Sequence, residues 1–254
     1  MPTIDINCDM GESYGNWEMG RDRDMFPLIT SANVACGFHA GDPMVMRQTV
    51  RLAKEHGVAV GAHPGYSDLE GFGRRKIILS PDEVEAYLTY QVGALRAFLD
   101  TEDMQLNHVK PHGAFYAFLR DDQEAGRAGA AAVHALAPDA AIIWPAPAFG
   151  TAFCDDLRQL GHTVVPDLYP DLSYDENGTI VIQRKIRETD VEFAVSQVRR
   201  FLETGQVETE AGTMVDMEAG SICVHGDGSH AVEVAGAIRQ AVLDFGAELE
   251  PVTA

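Results

Sequence analysis

Positive charge is scarce in this chain. Its 254 residues carry 19 Lys+Arg against 39 Asp+Glu, a formal charge of −20, and Lys54, Lys76, Lys110 and Lys185 are the only lysines. Such an excess of negative charge repels nucleic acid and anionic membranes, so neither is expected as a partner. A small anionic ligand would need a local basic pocket. Cysteine is also sparse. Cys8, Cys36, Cys154 and Cys223 form no CxxC pair, which leaves no signal for a zinc knuckle or a dithiol redox site. Three of the four lie in short apolar runs, where a reduced cysteine behaves as a small core residue. No apolar stretch approaches the length of a membrane span. The N-terminal Met1-Pro2-Thr3-Ile4 lacks the basic and apolar regions of a signal peptide, so a cytoplasmic protein is expected. Neither GxxxxGK[ST] nor GxGxxG occurs, and no autonomous nucleotide site is indicated.

What remains is an ordinary globular mixture, 46% apolar and 23% charged. The length suits two small domains or one barrel. No linker rich in Pro, Gly or Ser interrupts it, so one domain over 1–254 is expected. Strand-like runs at 3–9, 32–37, 58–63, 106–112, 140–144, 162–166 and 221–225 alternate with helix-like segments, a pattern that calls for a parallel sheet, either a barrel or a doubly wound one. The helices are well punctuated. Asp42-Pro43 opens one that Gly57 stops, with Met46, Val50 and Ala53 along one side. Ser80-Pro81-Asp82-Glu83 has capping-box spacing ahead of Val84, Leu88, Val92, Leu95 and Leu99. Thr189-Asp190-Val191-Glu192 repeats that spacing, and a last helix from about His230 ends at Gly246. Tyr174-Asp175-Glu176-Asn177-Gly178-Thr179 reads as the turn of a hairpin inserted near 170–185.

Side chains alternate across a strand. In the first run Ile4, Ile6 and Cys8 face one way and Asp5, Asn7 and Asp9 the other. The same division sets Val34 and Cys36 against Asn33, Ala35, Gly37 and His39. It sets Val60 and Ala62 against Gly61 and His63, and Val109 against His108, Lys110 and His112. In the last run Ile222 and Val224 oppose Cys223, His225 and Asp227. In a barrel the apolar side packs on the helices and the polar side lines the interior, with the strand C-termini at the active-site rim. Buried Asp, His and Lys without partners cost several kcal/mol each, by order of magnitude. They must form a network, bind a ligand, or both. Of the nine histidines, His56, His134, His162 and His230 are expected to face solvent or cap helices. A structural histidine is the default for each of His39, His63, His112 and His225 alone. Four at the same end of four strands point to a shared site, with His108 one layer deeper. Asp9, followed by Met10-Gly11-Glu12, is the carboxylate candidate. Gly71-Phe72-Gly73-Arg74-Arg75 places two guanidinium groups on a glycine-rich loop, which can clamp a carboxylate or phosphate or merely offset nearby acids.

Six stretches in this order resemble the LamB/YcsF family, that of the 5-oxoprolinase A-subunits. They are Asp5-Ile6-Asn7-Cys8-Asp9-Met10-Gly11-Glu12, Asn33-Val34-Ala35-Cys36-Gly37-Phe38-His39-Ala40-Gly41-Asp42-Pro43, Gly61-Ala62-His63-Pro64-Gly65, Gly71-Phe72-Gly73-Arg74-Arg75, His108-Val109-Lys110-Pro111-His112-Gly113-Ala114 and Cys223-Val224-His225-Gly226-Asp227. The resemblance implies a (β/α)7-type barrel related to the glycoside hydrolase/deacetylase superfamily. It also implies one component of an ATP-dependent system that opens 5-oxoproline to L-glutamate, with companion subunits B and C and ATP as cosubstrate. The family's Phe-Ala-Asp-Arg-like stretch is represented by Tyr169-Pro170-Asp171-Leu172, with leucine in place of arginine and Asp167 in place of a preceding glutamate. A related lactam or amide is therefore an open alternative as substrate.

The expected catalytic set is Asp9, His63, Lys110 and His112. Asp9 is cast as general base, the others stabilising charge on the carbonyl-derived oxygen. Asn7, Glu12, His39, Arg74, Arg75, His225 and Asp227 are the expected substrate contacts. A metal-dependent amidase or deacetylase, with ligands among Asp9, His39, His63 and His112, is a rival reading. A non-catalytic lactam-binding protein is another.

Overall fold

The computed structural model describes residues 2–146, 150–181, 190–226, 228 and 230–253. The chain begins with β1 (Thr3–Met10), a short helix α1 (Asp22–Met25) and a 3-10 turn (Phe26–Leu28), then β2 (Ser31–Ala35) and α2 (Pro43–His56). β3 (Ala59–His63), α3 (Pro81–Asp100) and β4 (Leu106–Val109) follow, then α4 (Gly113–Asp121), α5 (Gln123–Leu136), β5 (Ala141–Pro145) and α6 (Ala152–Gln159). The chain continues through β6 (Val164–Leu168), α7 (Val191–Thr204), β7 (Gln206–Glu208) and β8 (Met214–Asp216). It finishes with β9 (Ser221–Val224), α8 (Ala231–Phe245) and β10 (Glu248–Leu249).

Strands pair in the order β1-β2-β3-β4-β5-β6-β9, all parallel, and β9 returns to β1 through Asp5↔Ser221 to Cys8↔Val224. The sheet is closed. It is the (β/α)7 barrel that the family resemblance implies, and one of the two architectures the strand–helix rhythm left open, with β10 added beside the start of β1. The expected caps form. Asp42 accepts from the amides of Met44 and Val45, and Gly57 closes α2 in the left-handed region. Ser80 and Glu83 complete a capping box on α3. For α7 the cap is Asp190, bonded to the Phe193 amide, rather than the box expected from Thr189, which lies outside the described residues. The expected hairpin is present from Ser173 to Val181, where Tyr174 bridges Ile180; residues 182–185 of the expected span lie outside the described residues. A second hairpin, β7–β8, has strands of three residues, too short to display a period of two.

Strand ends differ from expectation where side-chain chemistry takes over. β4 stops at Val109, although the Lys110 and His112 amides still bond to the carbonyls of Ala62 and Pro64. β6 runs on to Leu168 and so carries Asp167 into the barrel, fully buried. Expectation fails at His162. It is buried, donating from Nδ1 to the Ala140 carbonyl (2.8 Å) and meeting His134 Nδ1 at 3.1 Å, because the turn into β6 folds it under α5. All four cysteines are buried and unbridged. No described helix is long and apolar enough to cross a membrane.

The lower barrel interior is closed by Asp5, whose carboxylate accepts from Thr30 (2.6 Å), Ser31 (2.7 Å) and Ser221 (2.5 Å). Burial outweighs these three donors and raises its pKa to about 6. A carboxyl raised from 3.8 to about 6 binds a proton in the folded state that the unfolded state has lost, so its stabilising contribution fades as pH rises through that window. Asp5→Asn removes this dependence. Between about pH 3 and pH 7 the stability difference between variant and wild type is expected to move by about 3 kcal/mol in the variant's favour. Urea unfolding at several pH values checks it; parallel pH profiles would contradict it.

Candidate active site

At the C-terminal end of the strands the inward residues converge. Asp9, near the end of β1, accepts from Asn33 Nδ2 at 2.8 Å through Oδ1, and its Oδ2 lies 3.3 Å from His63 Nε2. Lys110 follows β4 into the centre and is 2% exposed. Its ammonium donates to Asn7 Oδ1 (2.7 Å) and Cys223 Sγ (3.0 Å), pairs with Asp167 at 3.1 Å, and stands 3.6 Å from Asp9. Burial opposes the Lys110 charge, but the attraction of Asp167 and Asp9 prevails and holds its pKa well above the ordinary lysine value. Burial likewise opposes the Asp9 charge, and the Lys110 ammonium 3.6 Å away favours it. Asp9 is therefore an ionised, positioned carboxylate.

The other wall is imidazole. His63 Nδ1 bonds to the Lys110 carbonyl at 2.6 Å and its Nε2 meets His112 Nδ1 at 2.9 Å. His112 Nε2 donates to the Phe72 carbonyl at 2.8 Å. His39 stacks on His112 with ring centres 3.8 Å apart, and its Nε2 is 3.7 Å from Glu12. Burial drives His112 down to about 3 and His39 well below its ordinary value, the latter reinforced by the neighbouring His112 and His63. The glycine-rich loop is needed to close on this stack. A Cβ at Gly73 would sit 2.8 Å from both His112 and His39, and Gly73 has a φ of 64°. One residue earlier, Phe72 holds φ at 53°, unusual for a non-glycine residue.

Of the expected contacts, Asp9, Glu12, His39, His63, Lys110 and His112 come together. Asn7 sits just beneath them with both donors and both acceptor sites used, to Asp167, Ser221, Asn33 and Lys110. It is a scaffold of the site rather than a group open to ligand. The two arginines part company. Arg75 is bound to Asp68 and also approaches Glu70 at 3.6 Å, whereas Arg74 lies over the Phe72 ring at 5.2 Å, and its charge acts on His39 and His112. His225 Nδ1 pairs with Asp171 at 2.6 Å. Asp227 lies outside the described residues. Asn33, Asp167 and Asp171 take part without having been singled out as site residues. Asn33 shares the inward side of its strand with His39, a signal that was available. Leu172, which stands at the family's arginine position, packs against the main apolar cluster. Glu12, His39, His63 and His112 each offer a ligand atom within 4.8 Å of the others, a group able to coordinate a metal ion.

Residues 4–254 match the LamB/YcsF family model. The chain belongs to the LamB/YcsF family. Within that family it is 46% identical over 249 residues to the 5-oxoprolinase A-subunit of Thermus thermophilus, covering 97% of this chain and 98% of that one. It is 44% identical over 239 residues to the 5-oxoprolinase A-subunit of Staphylococcus carnosus, covering 93% and 94%. The crystal structure of a lactam utilization protein from Thermus thermophilus superposes with a TM-score of 0.89 at 44% identity, over 99% of this chain and 100% of that one.

The barrel centre yields a stability test. Lys110→Met leaves Asp9 and Asp167 buried without their counter-charge, and is expected to cost about 3–5 kcal/mol in denaturant unfolding. Adding Asp167→Asn should restore part of that loss. Additive losses would show that the two charges do not stabilise each other.

Proposed function

We propose that this chain is the lactam-opening component of an ATP-dependent 5-oxoprolinase, a hydrolase that converts 5-oxoproline or a closely related lactam to L-glutamate. The observation that carries the reading is Asp9 at the barrel mouth, held by Asn33 and set 3.6 Å from the Lys110 ammonium, in a family whose similar members bear that name. A five-membered amide is a poor electrophile, so water attack needs a base, and the carbonyl needs prior activation. Asp9 supplies the base. Its Oδ1 is pinned by Asn33, while Oδ2 points toward His63, and a water on that side can pass its proton to the carboxylate. Lys110 has donors committed to Asn7, Cys223 and Asp167, so it acts by its field, keeping Asp9 ionised and favouring negative charge above it. Arg74, at the loop edge, holds the substrate carboxylate; Arg75 stays with Asp68. His225, steadied by Asp171, completes the rim.

Carbonyl activation by ATP falls to companion subunits B and C, in keeping with the lack of a phosphate-binding motif in this sequence. The histidine cluster is also suited to a divalent ion, held by Glu12, His39, His63 and His112, which would act as a Lewis acid toward a carbonyl oxygen.

With companion subunits, ATP and 5-oxoproline present, Asp9→Asn is expected to lower glutamate release by roughly 10²–10⁴-fold with the fold intact. Full turnover in that variant would leave the chain with a binding role only. Arg74→Ala is expected to raise KM by roughly 10–100-fold, the worth of one charged hydrogen-bonded contact. Arg75→Ala should leave KM near wild type. Equal effects at the two positions would remove the carboxylate clamp from Arg74.

A further inference from the structure

The histidine cluster sets a hydrogen-bonding problem that its own atoms do not solve. A carbonyl oxygen only accepts, so the 2.6 Å contact between His63 Nδ1 and the Lys110 carbonyl fixes a proton on Nδ1. By the same reasoning the 2.8 Å contact to the Phe72 carbonyl fixes the His112 proton on Nε2. In neutral rings the two remaining nitrogens, His63 Nε2 and His112 Nδ1, both carry lone pairs, and they face each other at 2.9 Å. Asp9 Oδ2, a further acceptor, is 3.3 Å from the same His63 nitrogen. His39 is buried, and neither of its ring nitrogens has a hydrogen bond among the described residues. Its Nε2 is 3.7 Å from the Glu12 carboxylate. Lone pairs gathered at this density without a donor are suited to a cation among them.

A proton shared by His63 and His112 would answer only one contact. It would leave both ring nitrogens of buried His39 unserved, and a charged imidazole is costly to bury. We propose that Glu12, His39, His63 and His112 bind one divalent transition ion of the zinc class. Three imidazole nitrogens and one carboxylate oxygen suit Zn²⁺, Co²⁺ or Ni²⁺; Mg²⁺ and Ca²⁺ prefer all-oxygen shells. The outer N–H groups of His63 and His112 are spent on backbone carbonyls, the usual device for fixing the tautomer and orientation of a ligating histidine. The left-handed φ of Phe72 accompanies the turn that aims its carbonyl at His112, so a backbone conformation disfavoured for phenylalanine sits beside this bond. Asp9 stays outside the ligand set, its Oδ1 tied to Asn33, and remains free to act as base.

The site is independent of the substrate, so its test needs no turnover. Purified full-length chain, stripped with chelator, is titrated with ZnCl₂ by calorimetry and with CoCl₂ by visible absorption. One ion per chain is expected, with a cobalt spectrum of nitrogen–oxygen ligation, a raised Tm on loading, and far weaker binding of Mg²⁺. His39→Ala and Glu12→Gln, shown to be folded by circular dichroism, should each weaken Zn²⁺ by at least about 10–100-fold. His134→Ala, at the other imidazole pair, should leave it unchanged. Failure to bind Zn²⁺ or Co²⁺ at one equivalent would overturn the proposal. So would binding that survives His39→Ala or disappears with His134→Ala. Loss of lactam hydrolysis in a chain that still binds Zn²⁺ would count against the proposed reaction and not against the metal site.

Discussion

One buried ammonium organises the barrel interior. Lys110 reaches the axis from the end of β4 and meets Asn7 and Asp9 from β1, Asp167 from β6 and Cys223 from β9. A chain with charge −20 has placed one of its four lysines between two buried carboxylates. Without that charge Asp9 and Asp167 would be buried with no counter-charge, and the strands carrying them would lose their common centre. The ionisation of Asp9, on which the proposed chemistry rests, is thus a consequence of packing.

Two kinds of wall meet at Asp9. On one side lies the lysine–carboxylate network, which runs down to Asp5 and the serine and threonine hydroxyls beneath it, with Asp167 Oδ2 held by its ion pair to Lys110. On the other lie three imidazoles, two of which spend their N–H on backbone carbonyls and turn their lone pairs toward each other. The first wall sets a counter-charge against its carboxylates and gives rigidity. The second holds the ring nitrogens from which the proposed ion site is built. Asp9 belongs to both, through Asn33 and Lys110 on one side and His63 on the other.

Much of this was legible from residue order. The alternation of Asp5, Asn7 and Asp9 with Ile4, Ile6 and Cys8 announced which side of β1 lines the barrel. The same arithmetic placed His63, His108, Lys110 and Cys223 inside. Capping residues marked the starts of α2 and α3 because such signals are local, made by side chains two or three residues from the amides they serve. Legibility fell where partners are remote. Asp167 entered the site because β6 runs two residues beyond its apparent end, and Asp171 because a loop brings it against His225, 54 residues away. His162 looked like a surface residue and is buried under a helix that ends 26 positions before it.

The amino-acid order by itself determined the repeating strand–helix rhythm, the inward identity of the polar residues and the family, since each depends on spacing along the chain. Only closure of the sheet decided which of those residues touch. It separated Arg74 from Arg75, turned Asn7 from a prospective contact into a scaffold, and brought Glu12, rather than Asp9, into the group with His39, His63 and His112. The reason is geometric. Sequence periodicity specifies the direction of a side chain, whereas hydrogen bonding and charge balance depend on tenths of an ångström between residues from distant strands, and those distances exist only once the barrel has closed.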